Sequence, residues 1–132
     1  MIVLDTSALV EFLVGADQLA EVVRSVAAGE VLAAPHAADL EIASAVRGLV
    51  HGKRLPADEA QRALELFAAL GVRRYEHLSL LPRIWELRHN MWPYDAAYVA
   101  LAESLQITLV TVDAKFGSVP RMRCPLRNLR AA

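Results

Sequence analysis

Residues 94–113 decide the fold and read YDAAYVALAESLQITLVTVD. Their first part predicts a helix over residues 96–105, opened by Asp95 and apolar almost all round, which is typical of a helix inside a core. Their second part predicts a strand over residues 107–112 that is apolar on both faces, as in a parallel sheet covered by helices on both sides. Asp113 then ends a central strand. Because the carboxyl ends of such strands line the ligand crevice, Asp113 is a candidate site residue on position alone.

Strands and helices alternate on both sides of this stretch. The sequence predicts strands over residues 1–4, 31–34 and 72–76, helical or apolar segments over 8–14, 17–28, 37–50, 56–70 and 80–89, a short turn or helix over 114–119, and a last edge strand over 121–125. Such alternation is typical of parallel strands joined by right-handed crossovers. The predicted fold class is therefore α/β: a three-layer α/β/α sandwich with a mainly parallel sheet of about five strands. Two arginines in the strand over 72–76 favour the sheet edge for it.

Composition limits the class of protein. The 132 residues are 55% hydrophobic, which suits a single domain over residues 1–132 with a sizeable core. The one cysteine, Cys124, has no internal disulfide partner, and Asp5 interrupts the apolar start, so we expect no signal peptide and a cytoplasmic location. No apolar run approaches the ~20 residues that cross a bilayer, so no membrane association is expected.

The net charge of −1 hides an asymmetry along the chain. Residues 1–72 carry five basic and ten acidic side chains, and residues 73–132 carry nine basic and five acidic ones. An acidic half beside a basic half suits a metal site next to a track for a polyanion. Uneven surface charge is an equally good interpretation.

Four acidic residues fall where the predicted fold brings the chain to one rim of the sheet. Asp5 ends the first strand and Asp113 the fourth. Glu41 lies on the inner face of the helix after the second strand, and Asp95 begins the helix before the fourth. Each aspartate also stands where a carboxylate caps a helix N-terminus. Glu41, among apolar neighbours, needs an arginine or a cation to balance it.

Together the four acids favour a divalent cation. Two carboxylates ~4 Å apart repel by about 4 kcal/mol at an effective dielectric constant of ~20. All-oxygen ligation favours Mg²⁺, with Mn²⁺ as the alternative, and such an ion usually also binds a substrate phosphate. Because a bound cation activates water and offsets charge on the phosphate, the acids indicate phosphodiester hydrolysis.

At these residues the chain resembles PIN-domain ribonucleases, specifically the VapC-type toxins of bacterial toxin–antitoxin pairs. The matching segments are IVLDTSAL (residues 2–9), LEIASA (40–45), YDAAYVALA (94–102) and LVTVD (109–113). The resemblance implies a PIN-like fold, homodimers, Mg²⁺-dependent RNA cleavage, and inhibition by a small cognate VapB-type antitoxin. It also implies an acidic quartet, with two of its members the most direct Mg²⁺ ligands and two hydroxyl groups behind them. The quartet is Asp5, Glu41, Asp95 and Asp113, the direct ligands are Asp5 and Asp95, and the hydroxyl groups are Ser7 and Thr111.

Basic and aromatic residues are the candidates for contact with RNA. Lys115, Arg121 and Arg123 are favoured, with Arg127 and Arg130 in the same segment, although a solvated tail explains the arginines equally well. The aromatic residues are expected mostly in the core, with base stacking as the alternative, and they are Trp85, Trp92, Tyr94 and Tyr98. The helices over 37–50 and 56–70 either offer an apolar groove to a partner helix or pack on their own sheet.

We therefore interpret the chain as a Mg²⁺-dependent endoribonuclease, the toxin of a type II toxin–antitoxin pair, whose four acids hold metal and orient water. The main alternative is a catalytically inactive PIN-fold module that binds nucleic acid or protein. Metal-free cleavage by one of the four histidines is less favoured. An aspartyl phosphatase of the haloacid-dehalogenase type needs an acid two positions after Asp5, where Ser7 stands.

Overall fold

The computed structural model describes residues 1–130, apart from the side chain of Ser118. The strands in this part are β1 (Ile2–Leu4), β2 (Leu32–Pro35), β3 (Arg73–Tyr75), β4 (Leu109–Thr111) and β5 (Leu126–Asn128). The α-helices are α1 (Thr6–Val14), α2 (Gln18–Ala27), α3 (Ala38–His51), α4 (Ala57–Ala69), α5 (Leu81–Glu86) and α6 (Pro93–Leu105), and 3₁₀ helices cover Leu78–Leu80 and Ala114–Ser118. No helix among the described residues has the length and apolar character needed to cross a membrane.

The strands form one parallel sheet in the order β3-β2-β1-β4-β5. At its centre, Val3 of β1 is in register with Ala33 of β2 and Leu109 of β4. Helix α1 packs on α2, α3 and α4, whereas α5 packs on α6, and α6 lies over β1, β2 and β4. The predicted α/β/α sandwich with a parallel sheet is confirmed, as is the edge position of β3.

The strand order creates a crevice between β1 and β4. From β1 the sheet extends through β2 to β3 on one side, and from β4 it extends to β5 on the other. In open α/β sheets, ligands bind outside the carboxyl ends of the strands at such a switch point. Asp5 directly follows β1, and Asp113 stands two residues after β4. The topology therefore brings two of the predicted site residues to the same edge.

Helix α6 confirms the predicted buried helix but begins earlier than expected. Residues 96–102 are all buried. The helix starts at Pro93, because the fixed φ of proline suits the first helical position, and Trp92 is the N-cap residue. Asp95 therefore lies inside the first turn, and the interpretation of Asp95 as a capping residue is wrong. The strand that follows, β4, is also shorter than the predicted strand over residues 107–112.

Two further boundaries differ from the sequence predictions. The predicted edge strand over residues 121–125 is wrong: Arg121 has a left-handed φ of 57°, which turns the chain, and β5 pairs with β4 only after this turn. The predicted helix over residues 80–89 is shorter, because the chain after Glu86 continues in tight turns that end at Met91.

The aromatic residues are less buried than expected. Tyr98 is fully buried, but Trp85, Trp92 and Tyr94 are 67%, 75% and 61% exposed. In α5 the neighbouring residue Ile84 is buried, which turns Trp85 outward. The prediction that these residues lie mostly in the core is therefore wrong for three of the four.

The end of α1 is held by a side chain from α2. Gly15 closes α1, and Arg24 donates from Nε to Phe12 O over 3.0 Å and from Nη2 to Gly15 O over 2.7 Å. A Cβ atom at position 15 would lie 2.5 Å from Ala20 Cβ and 2.6 Å from Glu11 O. A glycine is required here because the α1–α2 corner closes onto it.

We expect Gly15→Ala to lower the free energy of unfolding by about 1–3 kcal/mol, because overpacking forces the corner apart. Urea denaturation followed by circular dichroism measures the effect. Gly48→Ala on α3 is the matched control: its added methyl group meets no atom within 4 Å, and the higher helix propensity of alanine stabilises by up to about 1 kcal/mol. Equal denaturation midpoints for the two variants would contradict the close contact at Gly15.

Candidate active site

Asp5 is the most constrained acid of the site. Its side chain is almost completely buried, with the residue only 2% exposed. Oδ1 accepts hydrogen bonds from Ala8 N over 2.9 Å and from Ser7 Oγ over 2.7 Å, and Oδ2 accepts one from Thr111 Oγ1 over 2.8 Å. Asp5 thus caps α1, as the capping alternative predicted, and it also accepts hydrogen bonds from Ser7 and Thr111, the two hydroxyl groups that the family resemblance implied behind the acids.

The hydroxyl groups of Ser7 and Thr111 also bind the backbone of the two residues that follow β4. Val112 N donates to Ser7 Oγ over 3.3 Å, and Asp113 N donates to Thr111 Oγ1 over 3.0 Å. The Asp113 carboxylate in turn accepts from Lys115 N over 3.0 Å and caps the following 3₁₀ helix. The backbone beside the crevice is therefore held by side chains from the start of α1 and the end of β4.

Asp95 and Asp113 share the ammonium group of Lys115. Lys115 Nζ lies 2.8 Å from Asp95 Oδ2 and 3.3 Å from Asp113 Oδ2. Its hydrogen bond to Asp95 is the main reason that the pKa of Lys115 is raised. A cation therefore already bridges two of the four predicted metal ligands, and this cation comes from the chain itself.

Glu41 has no comparable partner. It stands in the first turn of α3, and its Oε1 is a buried atom without a hydrogen-bond partner, the only such side-chain atom found in the described part of the chain. Nor does any basic side chain within residues 1–130 form a salt bridge with it. Of the two expected ways to balance Glu41, an arginine or a cation, the arginine is not observed.

All four acids line one cavity of about 630 Å³. Glu11 of α1 adds a fifth carboxylate, and Lys115 and Arg130 are its two cationic lining residues. Glu11 was missed by the sequence analysis, although its four-residue spacing from Ser7 places both on the same face of a helix. No histidine is among the described lining residues, so the metal-free histidine alternative gains no support from this cavity.

Arg121 and Arg123 lie away from the acids. Arg121 O accepts a hydrogen bond from Arg83 Nη2 over 3.1 Å, and Arg123 N donates to Glu103 Oε2 over 2.7 Å. Arg123 lines a different cavity, together with Gln106 at the end of α6 that precedes β4. These two arginines therefore lie near the end of the sheet where β4 begins, opposite the acid cavity. Of the three favoured RNA-binding residues, Lys115 is the one that lines the acid cavity.

Comparison with known proteins identifies the family of this chain. The PIN domain family profile matches residues 2–122. The chain belongs to the PIN-domain family. Ribonuclease VapC9 of Mycobacterium tuberculosis is 43% identical over 126 residues, which cover 96% of each chain.

Solved structures share the fold of this PIN domain. VapBC2 of Rickettsia felis, crystallised with a DNA fragment from its promoter, has a TM-score of 0.69 at 20% identity and covers 97% of this chain and 98% of its own. VapC20 of M. tuberculosis, a toxin that cleaves the sarcin-ricin loop, has a TM-score of 0.70 at 18% identity, with 95% and 99% coverage. At these identities the likeness concerns the fold alone.

The acid cavity of this PIN domain has the donor chemistry of a divalent-metal site. Its donors are all carboxylate oxygens, which suit hard ions such as Mg²⁺, and the unpartnered Glu41 Oε1 is a buried acceptor that still needs a positive partner. In the described residues, no three acidic, histidine or cysteine side chains are already gathered closely enough to enclose an ion. The residues therefore fit a metal by chemistry, and Lys115 must move away from Asp95 and Asp113 before these two acids could bind one.

The electrostatics of the acids point the same way. Burial is the main reason that the pKa values of Asp5 and Glu41 are raised, and the negative charge of Asp95 raises both further. Hydrogen bonds from Ala8, Ser7 and Thr111 to Asp5 lower its pKa, but they offset burial only in part. The charged forms of these acids are thus disfavoured in the metal-free protein, and a bound cation would reverse that penalty.

We expect Glu41→Gln to raise the free energy of unfolding of the metal-free protein at about pH 8 by less than about 1 kcal/mol, because Glu41 is only partly buried and solvent screens its charge. Because the pKa of Glu41 is raised in the folded state, the folded protein binds this proton more tightly, and its stability falls as pH rises through the raised pKa. The difference between variant and parent should therefore disappear towards about pH 4. Urea titrations in EDTA across this range measure it.

Glu65→Gln, at an exposed position on α4, is the control for this experiment. It removes the same charge from the surface, where a single substitution usually changes stability by less than about 0.5 kcal/mol. A stability difference for Glu41→Gln that stays constant from acid to alkaline pH would show that the carboxylate is not destabilised in the folded protein.

Replacement of Lys115 tests whether its ammonium competes with metal. We expect Lys115→Met to tighten Mn²⁺ binding by up to about fivefold, since an exposed ion pair contributes up to about 1 kcal/mol. Electron paramagnetic resonance of free Mn²⁺ measures the affinity. Arg127→Met, which removes one positive charge from exposed β5 outside the cavity, should leave it unchanged, and equal affinities of both variants would argue against competition.

Proposed function

We propose that this PIN domain is a divalent-metal-dependent endoribonuclease, with Mg²⁺ as the physiological ion and Mn²⁺ as a substitute. The observation that carries the proposal is one cavity lined by the four predicted acids, in which the buried Oε1 atom of Glu41 has no hydrogen-bond partner. Relatives that are named ribonucleases and extend over nearly the whole chain support the same activity.

The four acids would hold the ion, and each is positioned by a different element. Asp5 follows β1, Glu41 stands on α3, Asp95 on α6, and Asp113 follows β4. A bound divalent ion would make water a stronger nucleophile and offset the negative charge that builds up on the phosphate.

The chain's other groups prepare this arrangement. Ser7 and Thr111 orient Asp5 through hydrogen bonds to its two carboxylate oxygens. The fully buried Tyr98 donates to or accepts from Thr6 Oγ1 over 2.8 Å, which fixes the start of α1 against α6 beside Glu41. Cleavage with this residue set would leave a 3′-hydroxyl and a 5′-phosphate, with Glu41 and Asp113 orienting the attacking water.

The biological context we propose is that of a type II toxin. It would act in the cytoplasm as a single-domain homodimer and be inhibited by a cognate VapB-type antitoxin. A second cavity of about 570 Å³ lies beside α1 and the α3–α4 connection, and its lining includes Val10, Val14, Leu49 and Leu55. This apolar groove supports a partner helix as the mode of inhibition, because amphipathic helices bind such grooves with one face.

A non-catalytic PIN-fold binding module is the second candidate. What favours it is the ammonium group of Lys115 between Asp95 and Asp113, which balances these acids without a metal. The two candidates differ in one simple measurement, because only the nuclease requires the acids to bind Mg²⁺ or Mn²⁺.

Asp5→Asn tests the nuclease with the fold preserved. Asparagine caps a helix as well as aspartate does, so the fold should persist while RNA cleavage falls by at least about a hundredfold, the order expected for loss of one charge-stabilising group. Cleavage of total RNA with Mg²⁺ and with excess EDTA, together with growth after induced expression, measures the effect.

Asp17→Asn is the matched control, because Asp17 caps α2 through Ala20 N over 3.2 Å and lies outside the acid cavity. It should cleave RNA and arrest growth as the parent does. Full cleavage by the parent in excess EDTA would refute the metal dependence, and full cleavage by Asp5→Asn would refute the role of the acid.

A further inference from the structure

Arg130 faces the acid cavity from the C-terminal segment. Its Nε donates to Val112 O over 2.7 Å, so the guanidinium group lies beside the chain that connects β4 to Asp113. Arg130 also lines the same cavity as the four acids. Yet within residues 1–130 no carboxylate forms a salt bridge with it. An arginine that lines an acidic cavity without pairing to an acid retains donors for another anion.

Hydrogen bonds of the preceding residues fix the position of Arg130. Leu129, which is buried, donates from its backbone to Thr111 O over 2.9 Å. Asn128 donates from Nδ2 to Asp113 O over 2.9 Å and accepts from Arg130 N over 3.1 Å. Together with the bond from Arg130 to Val112, these hydrogen bonds hold residues 128–130 against the end of β4 and so beside the acid cavity.

We propose that Arg130 binds a phosphate group of the RNA strand and positions that strand over the acids; this inference rests on the proposed ribonuclease function. The cavity contains five carboxylates, and the other cation that lines it, Lys115, is paired with Asp95 and Asp113. A polyanion that approaches such a surface needs a positive group that the acids do not hold. Arg130 is the candidate that meets this condition.

The chemistry of the guanidinium group suits this task. Its planar fork of donors matches two oxygens of one phosphate, whereas a lysine ammonium acts as a point charge. The Nε contact to Val112 O fixes one edge of the group and leaves the two terminal nitrogens for the ligand. The backbones of Arg121 and Arg123 are anchored to Arg83 and Glu103. Neither residue lines the acid cavity, so neither is placed to bind the same phosphate as Arg130.

The test compares Arg130→Met with Arg127→Met in the Asp5→Asn background, which prevents cleavage during the measurement. The probe is a fluorescein-labelled, mixed-sequence single-stranded RNA, followed by fluorescence anisotropy over a range of salt concentrations. Arg127 is exposed on β5, outside the cavity, and its replacement removes the same charge three residues before Arg130. Thermal stability and Mn²⁺ binding are measured in parallel on both variants without the Asp5 substitution.

We expect Arg130→Met to weaken RNA binding about tenfold and to reduce the salt slope by ~0.7, the value for loss of one phosphate contact to a single strand. Mn²⁺ affinity should stay within error of the parent, and the melting temperature should fall by no more than about 4 °C, the effect of the lost hydrogen bond to Val112 O. Arg130→Lys should recover part of the affinity, because it keeps the charge and loses the fork. Arg127→Met should leave RNA affinity nearly unchanged.

Two results would overturn the inference. Arg130→Met that binds RNA like Arg127→Met, in a protein that does cleave RNA, would remove Arg130 from RNA binding and leave the proposed function intact. The second result would be that Arg130→Met loses Mn²⁺ binding and a large part of its melting temperature together with RNA binding. If Arg130→Lys then restored none of the three, Arg130 would have a merely structural role. A parent protein that neither cleaves nor binds RNA would instead refute the proposed function itself.

Discussion

The buried carboxylate of Asp5 is the contact on which the rest of the site depends. It caps α1, accepts from Ser7 and Thr111, and thereby joins the ends of β1 and β4, which belong to opposite halves of the sheet. Without it, an N–H group at the start of α1 and two hydroxyl groups would lose their acceptor inside the protein, which costs about 1–3 kcal/mol for each group left unpaired. The same contact sets the geometry of the crevice.

This contact is a compromise between local stabilisation and burial of charge. Three hydrogen bonds favour the ionised form of Asp5, yet its pKa is raised because burial outweighs them, and Asp95 adds repulsion. Burial also raises the pKa of Glu41, and its Oε1 atom has no hydrogen-bond partner. A folded protein keeps such groups only if the surrounding structure holds them, and here the buried residues 96–102 of α6 and the parallel central strands supply that rigidity. The strain on the acids is what a cation would relieve.

Most of the fold could be predicted because it follows from patterns within short segments. The buried helix of residues 96–102, the apolar strands and the glycine and proline breaks all act through neighbouring residues, and together they gave the parallel sheet. The errors arose where other parts of the chain decide. Arg121 adopts a left-handed turn before β5, and Trp85 faces outward because its neighbour takes the inner position. No local pattern reports either choice.

The candidate site shows the same division. Position at strand ends brought Asp5 and Asp113 together, and helical phase brought Glu41, because these relations follow from topology alone. The ion pairs among the residues of the cavity could not be predicted. Lys115 stands two residues after Asp113 but also bridges to Asp95, twenty residues away in the chain, and Glu11 reaches the cavity because α1 follows Asp5 so closely.

The basic residues in the second half of the chain do not form one continuous track for a polyanion. The backbones of Arg121 and Arg123 contact Arg83 and Glu103 on the side of the sheet away from the acid cavity. The Arg83 guanidinium forms salt bridges with Glu103 and Glu86, so its charge stabilises the fold around α5 and α6. Among residues 1–130, Lys115 and Arg130 are the basic residues that line the acid cavity. Lys115 is bound by the acids, whereas Arg130 is bound by a backbone carbonyl and forms no salt bridge with a carboxylate of the described residues. Because a carbonyl carries no net charge, the two cations are suited to opposite tasks, one to balance the acids and the other to attract an anion towards them.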